Sequence, residues 1–320
     1  GVRAVLPASG GLPANLALDP QGVISGDVAS GTAGTYSFDV QVSDGIGTDT
    51  KSLSITVLSA AQLRADFQAS PTYGTAPLAV TFTDKSTGTV TQWEWDFDGN
   101  GITDSTAQNP TWTYTTPGWY TVTLTVTGPA GSDICVKRMY ILVANNVRYV
   151  NGANGSNSNG GSSWSDAWNT IEYALSRAGD YDLVLVADAT YRETDLNFSG
   201  KKIYLKGVDY NTAGAQPVID CQRGGRAFYF GSGETEETVV DNFIIQNGKV
   251  IETYGGAVLC ENNSSPSIRN CVFQHNEAVD TNGSRDDENG GAIYCSSSSP
   301  TVTDCTFSGN SAGKYGGAIC

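Results

Sequence analysis

The stretch that decides the fold closes the chain: GGAIYCSSSSPTVTDCTFSGNSAGKYGGAIC, from Gly290 to Cys320. It begins and ends on Gly-Gly-Ala-Ile, and a related phrase, GGAVLC, starts at Gly255. The three Gly-Gly-Ala starts are 35 and then 26 residues apart, from 255 to 290 and from 290 to 316. A period of this size predicts a solenoid, in which each copy covers the apolar face of its neighbour.

A second phrase repeats between these starts. It reads SIRNCVFQHN over 267–276 and TVTDCTFSGN over 301–310, with a weaker copy, TVVDNFIIQN, over 238–247. An ungapped alignment of the three copies predicts a structural ladder of three columns: Asn242, Cys271 and Cys305; Ile244, Phe273 and Phe307; Asn247, Asn276 and Asn310.

The unit is too short for a pair of helices. Its apolar residues alternate or form short runs bounded by Gly, Asn, Ser and Pro, which is typical of strands and turns. Like residues would then stack from rung to rung at the strand spacing of about 4.8 Å, and an Asn in a stacked turn can hydrogen-bond its own copy. We therefore predict a parallel β-helix.

Composition narrows the function. The chain has 320 residues, enough for two or three domains, with 18 Lys and Arg against 33 Asp and Glu. A net charge of −15 disfavours nucleic acid and anionic membrane surfaces as partners. No run of 18 apolar residues is present, so no transmembrane segment is predicted. The chain starts and stops inside recognisable units, and we expect a piece of a longer, extracellular or cell-surface bacterial protein.

Residues 1–60 predict a first, incomplete module. In TYSFDVQVSDG (35–45), the side chains Tyr36, Phe38, Val40 and Val42 alternate with polar ones, and LSITV (53–57) repeats the pattern. This predicts a hairpin on a half-buried sheet. The stretch GLPANLALDPQGVISGDVASGTAGTYSFDVQVSDGIGTDTKSLSITV (11–57) resembles the Putative Ig family of bacterial surface proteins.

Residues 61–146 predict a β-sandwich. Trp93, Trp95 and Phe97 alternate with Glu94 and Asp96, which places the aromatic rings inside. The phrases PLAVTFTDKST (77–87), WEWDFDGNG (93–101) and NPTWTYTTPGWYTVTLTVTGPAG (109–131) closely resemble a PKD domain. That resemblance implies an Ig-like extracellular spacer or binding module.

One loop of this module has the spacing of calcium ligands. Asp96, Asp98, Asn100 and Asp104 fall at positions 1, 3, 5 and 9 of a calcium loop, and oxygen ligands at every second residue can surround one Ca²⁺. Position 12 is Ala107, which lacks the bidentate carboxylate. The loop is either a calcium site, the one cofactor considered, or an acidic turn.

Residues 147–320 predict a capped solenoid. SDAWNTIEYALSRAG (165–179) predicts a helix capped by Ser165 and ended by Gly179, with Trp168, Ile171 and Leu175 on one face. A buried strand, DLVLVADATYRE (182–193), follows. A helix here can cover the first rung. The region is similar to the N-terminal cap of bacterial right-handed β-helix proteins.

The closing repeats resemble the polymorphic outer-membrane protein repeats of chlamydiae. GGAI and FxxN form that family's signature pair, and FxxN occurs here at 273–276 and 307–310. The resemblance implies a surface-displayed β-helix linked to adhesion. The predicted fold class is thus all-β: two Ig-like sandwich modules, then a helix-capped right-handed parallel β-helix, with domains at 1–60, 61–146 and 147–320.

The seven cysteines suit a core better than a metal site. Cys260 and Cys295, like Cys271 and Cys305, occupy equivalent positions on neighbouring rungs, where a small apolar side chain packs well. No CxxC pair is present, which argues against zinc. A set of disulfides is the alternative.

Few residues suggest catalysis. His275, the one histidine, falls in a repeated turn, and neither GxSxG nor HExxH occurs. Asp241, Asn270 and Asp304 share one aligned column, which we interpret as a solvated outward face. Asp286, Asp287 and Glu288 form a solvated loop or a contact for calcium or sugar.

The sequence favours a non-catalytic surface protein. Its Ig-like spacers would present a β-helix that binds a polysaccharide or a host or cell-surface ligand. The alternative is a polysaccharide lyase or glycoside hydrolase of the β-helix class, with its active site in rungs further along the parent protein.

Overall fold

The computed structural model describes residues 3–5, 11–19, 23–29, 33–43, 47–57, 63–128, 130–281 and 289–320. The chain is all-β, with 3% of its residues helical. It consists of an N-terminal sheet, a two-sheet sandwich and a β-solenoid of about five turns. This agrees with the fold class predicted from the sequence.

The described residues of the N-terminal part form the strands β1 Arg3–Val5, β2 Ala17–Leu18, β3 Ile24–Ser25, β4 Gly34–Ser43 and β5 Thr48–Val57. Strands β4 and β5 pair antiparallel over their whole length, and β1 adds to β4 as a third strand. Phe38 is buried on this sheet. The predicted hairpin is therefore confirmed.

The sandwich contains seven strands: β6 Phe67–Ser70, β7 Tyr73–Thr75, β8 Leu78–Asp84, β9 Gln92–Asp96, β10 Thr111–Tyr114, β11 Gly118–Gly128 and β12 Gly131–Ala144. They form one sheet in the order β10-β8-β6 and another in the order β7-β12-β11-β9. Between the sheets, Phe67, Phe82, Trp95 and Phe97 are fully buried, with ring centroids 4.6–6.3 Å apart. The predicted aromatic core is confirmed.

The third part begins with β13 Val147–Val150, helix α1 Ile171–Arg177, β14 Leu183–Ala187, β15 Thr190–Tyr191, β16 Leu196–Asn197 and β17 Tyr204–Val208. It continues with β18 Val218–Asp220, β19 Phe228–Phe230, β20 Val239–Asp241, β21 Ile244–Gln246, β22 Lys249–Ile251 and β23 Val258–Cys260. It ends with β24 Ser267–Arg269, β25 Val272–Gln274, β26 Glu277–Val279, β27 Ile293–Cys295, β28 Thr301–Thr303, β29 Thr306–Ser308 and β30 Ser311–Ala312. A single-turn 3₁₀ helix spans Trp164–Asp166.

These strands form four parallel sheets that surround one core. Sheet 1 has the order β13-β14-β17-β20-β24-β28, sheet 2 β15-β18-β21-β25-β29, sheet 3 β22-β26-β30 and sheet 4 β16-β19-β23-β27. The turns β14–β16 and β17–β19 visit sheets 1, 2 and 4. From β20 onward, the described strands visit sheets 1, 2, 3 and 4 in that order. In sheet 1, Val240, Ile268 and Val302 share a register column and pack into the core, so the residues on either side of them point outward.

The register corrects the alignment of the weaker copy by one residue. In sheet 2, Ile245 pairs with Phe273, and Phe273 pairs with Phe307. The predicted column had Ile244 in the place of Ile245. The same shift corrects the other two predicted columns: Phe243 takes the place of Asn242 beside Cys271, and Gly248 takes the place of Asn247 beside Asn276. The amide of Gly248 donates to Asn276 Oδ1 at 2.8 Å.

The other residues of the ladder stack from turn to turn. Asn276 donates through Nδ2 to Asn310 Oδ1 (2.9 Å) and to the Ile245 carbonyl (3.1 Å), so its turn is bonded to both neighbouring turns. Asn310 repeats the pattern with the Phe273 carbonyl at 2.9 Å. The rings of Phe273 and Phe307 stack at 5.0 Å with their planes 5° apart.

All seven cysteines are free thiols, and five of them line or pack against the solenoid core, as predicted: Cys221, Cys260, Cys271, Cys295 and Cys305. Cys135 packs against the sandwich core, and Cys320 is exposed. Cys260 pairs in register with Cys295 on the next turn. Cys271 is buried, and Cys305 packs against the same core cluster. Burial raises the pKa of the Cys221 thiol to about 12, which keeps it protonated and unreactive.

The capping helix is present but shorter than predicted. It begins after Thr170, whose hydroxyl accepts from the Tyr173 amide at 3.3 Å, so the predicted Ser165 cap is wrong. Trp168 lies before the helix because its backbone bridges to the first strand and its indole donates to the Asn159 carbonyl at 2.8 Å. Ile171 and Leu175 are buried over the first turn, which confirms the lid.

The sandwich and the solenoid are joined through two residues, Asn145 and Asn146, and both are tied to the solenoid. Asn145 donates from its backbone to the Tyr181 carbonyl at 2.9 Å, and Asn146 Nδ2 donates to Asp182 at 2.8 Å. An apolar cluster bridges the two parts: Leu142, Ala144, Leu183, Leu185, Tyr204 and Val239. The sandwich is thus docked on the outer face of sheet 1.

Candidate functional site

A cleft opens where the sandwich and sheet 1 diverge. One wall is Arg138 and Met139 of β12, and the other is the outward face of sheet 1 at β24 and β28. The cleft has a volume of about 330 Å³, at the lower end of the range for ligand pockets. Its lining residues are Arg138, Met139, Glu236, Ser267, Arg269, Thr301 and Thr303.

Strand register produces the solenoid wall. Ser267 pairs with Thr301, and Arg269 pairs with Thr303, so two columns of polar side chains face outward on neighbouring turns. Hydroxyl groups can both donate and accept hydrogen bonds. The wall therefore offers one cation and the hydroxyls of Thr301 and Thr303. The Ser267 hydroxyl donates to the Glu236 carbonyl at 2.8 Å, so it can only accept a further hydrogen bond.

Arg269 is fixed in place by the solenoid and by one aromatic ring of the sandwich. Its Nε lies 3.4 Å from a carboxylate oxygen of Asp241, and its guanidinium lies over the rings of Trp119 (5.6 Å) and Tyr204 (5.1 Å). Asp241 also pairs with Lys206 at 3.0 Å and accepts from Asn270 Nδ2 at 2.8 Å. This network holds the guanidinium at the cleft wall.

The contacts within this network favour the ionised forms of Asp241 and Arg269. Burial raises the pKa of Asp241, but Lys206 and the hydrogen bond from Asn270 lower it more, so the net shift is downward. Burial lowers the pKa of Arg269, and its interactions with Tyr204 and Asp241 outweigh this and raise it. The pKa of the Tyr204 phenol is raised, mainly by burial.

Asp241 does not lie on a solvated face, contrary to the sequence interpretation. It is 2% exposed and pairs in register with Arg269, not with Asn270. Asn242, Asn270 and Asp304 instead share a turn column with positive φ angles of 68°, 54° and 52°. Asn and Asp tolerate this backbone conformation better than most residues, which accounts for their repetition there.

Arg138 faces the cleft from the opposite wall and is exposed. No ion pair or side-chain hydrogen bond links it to the described part of the chain. Glu236 is the one carboxylate among the lining residues. The cleft is thus lined by two cations and one anion.

The acidic loop of the sandwich brings together three of its four predicted ligands. Carboxylate oxygens of Asp96, Asp98 and Asp104 lie within 4.8 Å of one another. Asp96 accepts from the Gly99 and Gly101 amides at 2.7 and 2.8 Å, and Gly101 has a φ of 82°. The backbone therefore wraps around the Asp96 side chain and turns it into the loop.

Asn100 is oriented differently from a ligand. Its Oδ1 accepts from the Ile102 amide at 2.7 Å, and its Nδ2 donates to Asp98 at 3.1 Å. The donor set that fits a hard cation is therefore three carboxylates plus loop carbonyls. The second predicted polar group, Asp286, Asp287 and Glu288, lies outside the described residues.

His275 occupies a turn between sheets 2 and 3, as predicted, with a φ of 56°. Sequence reasoning did not identify the cleft. The sequence contains one sign of the cleft, which is Arg269. This arginine shares a register column with Asp241 on the preceding turn and Thr303 on the following turn.

Three family models match this chain. The Putative Ig domain model matches residues 3–58, and the PKD domain model matches residues 61–143. The Chlamydia polymorphic membrane protein repeat model matches residues 270–296 and 304–320. The three resemblances predicted from the sequence are confirmed, and together they suggest a surface or secreted protein.

Solved structures resemble parts of the chain. The PKD1 domain of the Vibrio cholerae metalloprotease PrtV is 35% identical over 26% of this chain and 99% of that domain, with a TM-score of 0.22. The N-terminal four Ig domains of Dscam1 isoform 1.9 are 15% identical over 43% of this chain, with a TM-score of 0.21. This chain spans 36% of that Dscam1 chain.

No curated protein matches the chain. Within the described ranges, no helix has the length and apolar character needed to cross a membrane.

Proposed function

We propose that this chain forms part of an extracellular or cell-surface protein in which Ig-like modules carry a β-solenoid, and that the solenoid binds carbohydrate in the cleft beside the sandwich. The observation that carries the proposal is the cleft itself. Two modules joined by two residues border a cleft of about 330 Å³.

The lining suits a sugar. Thr301 and Thr303 supply hydroxyls that can donate to and accept from sugar hydroxyls, and Ser267 supplies an acceptor oxygen. Met139 supplies an apolar surface for the C–H face of a ring. A wall built on parallel strands is rigid, and fixed polar groups limit the entropy that binding costs.

The cleft supports binding more than hydrolysis. Hydrolysis of a glycosidic bond needs two carboxyl groups on opposite sides of the scissile bond. Glu236 lines the cleft, whereas Asp241 lies behind it, paired with Lys206 and Arg269. The enzymatic alternative therefore depends on groups other than those that line the cleft.

Affinity electrophoresis tests the proposal. The chain is run through native gels that contain a panel of neutral and acidic polysaccharides, and the same mixtures are assayed for new reducing ends. Retardation without new reducing ends supports a binding function. Retardation by none of the polysaccharides contradicts it, and cleavage favours the enzymatic alternative.

A substitution that fills the cleft assigns the binding to this site. Thr301→Trp would occupy the volume between the walls, and we expect it to abolish retardation. Thr306→Trp is the matched control, because Thr306 is equally exposed but lies on sheet 2. If both variants are retarded as strongly as the parent, the polysaccharide binds outside the cleft.

We also propose that the loop of Asp96, Asp98 and Asp104 binds Ca²⁺. Three carboxylates that converge within 4.8 Å repel one another unless a cation lies between them. A bound ion would brace the loop that follows β9 and stiffen the spacer.

A further inference from the structure

We propose that the cleft selects a sugar that carries a negatively charged group, a carboxylate or a sulfate, and that Arg138 of the sandwich and Arg269 of the solenoid hold that group between them. This inference rests on the proposed carbohydrate-binding function and adds its ligand class.

The first argument is local charge. The whole chain carries −15, yet the cleft lining has two arginines and one glutamate, a balance of +1. Behind the lining, Asp241 pairs with both Lys206 (3.0 Å) and Arg269 (3.4 Å), and the charge of Lys206 offsets that of Asp241, so the local balance stays at +1. At physiological salt, charges more than about 8 Å apart are largely screened, so a bound ligand experiences this local balance.

The second argument is preorganisation. Arg269 is held by an ion pair through Nε and by two aromatic rings, Trp119 and Tyr204. An arginine whose position is fixed before binding loses little conformational entropy when it binds an anion. The planar guanidinium matches the two oxygens of a carboxylate or sulfate.

The third argument is the opposite wall. Arg138 is exposed and makes no ion pair within the described ranges, although the chain has nearly twice as many acidic as basic residues. It lines the cleft across from Arg269. An anion between the two walls would supply the partner that Arg138 lacks.

The acidity of the rest of the chain limits how densely charged the ligand can be. A densely charged polymer would be repelled by the surrounding surface, whereas one charged sugar among neutral ones would not. The hydroxyls of Thr301 and Thr303, on the turn next to Arg269, can bind the neutral part. The inferred ligand is thus an oligosaccharide with sparse anionic groups.

Calorimetric titration of the chain tests this inference with three probes. They are a short uronic-acid-containing oligosaccharide, the same oligosaccharide with its carboxylates reduced to hydroxymethyl groups, and a sulfated counterpart. We expect at least one charged probe to bind roughly tenfold more tightly than the reduced probe, as for a hydrogen-bonded charge. The two charged probes identify which anion is preferred.

Two pairs of variants assign the effect to the arginines. Arg138→Ala should lower the affinity for the charged probe roughly tenfold and leave the reduced probe unaffected. Lys85→Ala removes the same charge from an exposed position elsewhere on the sandwich, and it should leave the affinity for both probes unchanged. Thr303→Glu should abolish binding of the charged probe, whereas the isosteric Thr303→Gln should retain it.

The outcomes separate this inference from the proposed function. Binding of all three probes with equal affinity, or an unchanged charge preference in Arg138→Ala, overturns the anion site and leaves carbohydrate binding intact. Binding of none of the probes, together with no retardation in the polysaccharide gels, overturns both.

Discussion

Arg269 of the solenoid lies with its guanidinium 5.6 Å from the ring centroid of Trp119 in the sandwich. The same indole donates from Nε1 to the Glu237 carbonyl at 3.2 Å, so one side chain of the sandwich makes two contacts with the solenoid. Trp119 therefore couples the position of the sandwich to the geometry of the cleft.

We expect Trp119→Ala to destabilise the junction by roughly 1–3 kcal/mol, the range typical of a partly buried contact. Removal of the indole deletes the hydrogen bond and half of the aromatic support for Arg269. Differential scanning calorimetry should show that the sandwich and the solenoid unfold at more widely separated temperatures. Trp119→Phe is the control, since it keeps a ring under Arg269 and loses the hydrogen bond. An unchanged thermogram for Trp119→Ala would contradict the coupling.

Asp241 should make stability depend on pH in the acid range. Because the pKa of the folded Asp241 is lowered, its ionised form stabilises the fold above the ordinary Asp pKa of about 3.9. That stabilisation is lost as the pH falls through the lowered folded-state pKa. In urea titrations, Asp241→Asn should be less stable than the parent at pH 7 by about 1–3 kcal/mol.

The expected loss of stability in Asp241→Asn is moderate because the partners of Asp241 are partly exposed to solvent. Loss of one partner of a fully buried pair costs about 3–5 kcal/mol, but Lys206 and Arg269 remain 22% and 28% exposed and keep part of their hydration. The gap between the variant and the parent should narrow below pH 4. A gap that stays constant from pH 7 to pH 3 would show that Asp241 does not contribute through its charge.

The three-part architecture could be predicted from the sequence because each part has a local signal. The aromatic alternation that ends in Trp95 and Phe97 identified the sandwich, and the spacing of Gly255, Gly290 and Gly316 identified the solenoid. The register of the weaker copy could not be predicted. Val239 and Val240 are both apolar, so a slip of one residue leaves the hydrophobic pattern nearly unchanged.

The cleft could not be predicted because it depends on how two modules dock. Arg138 and Arg269 are 131 positions apart, and no sequence motif near either residue predicts that the two lie at the same cleft. The helix start was wrong for a related reason: the indole of Trp168 is held by Asn159, a contact that sequence periodicity does not encode. Local patterns thus predict the elements, and tertiary contacts decide where they end and meet.

The asparagine ladder should contribute strongly to stability. Asn276 is fully buried and bonds to Gly248, to the Ile245 carbonyl and to Asn310. Asn276→Ala would leave these groups unsatisfied, at about 1–3 kcal/mol for each buried group. We expect the midpoint of urea unfolding of the solenoid to fall markedly. Gln274→Ala is the control, because its outward amide bonds to Gln246 on the surface of sheet 2. Equal effects of the two substitutions would contradict a role for buried hydrogen bonding.

Calcium should raise the melting temperature of the sandwich if the loop of Asp96, Asp98 and Asp104 binds it. A ligand that binds the folded state alone stabilises it by about 2.7 kcal/mol at one hundred times its Kd. We expect millimolar Ca²⁺ to raise the transition and a chelator to reverse the rise. Asp98→Asn should abolish the response, because the side chain of Asp98 is exposed and the substitution removes a ligand charge without disturbing the core. Asp133→Asn, outside the loop, changes the net charge equally and should keep the response. A melting temperature that Ca²⁺ leaves unchanged in the parent would show that the carboxylates form an acidic turn and no metal site.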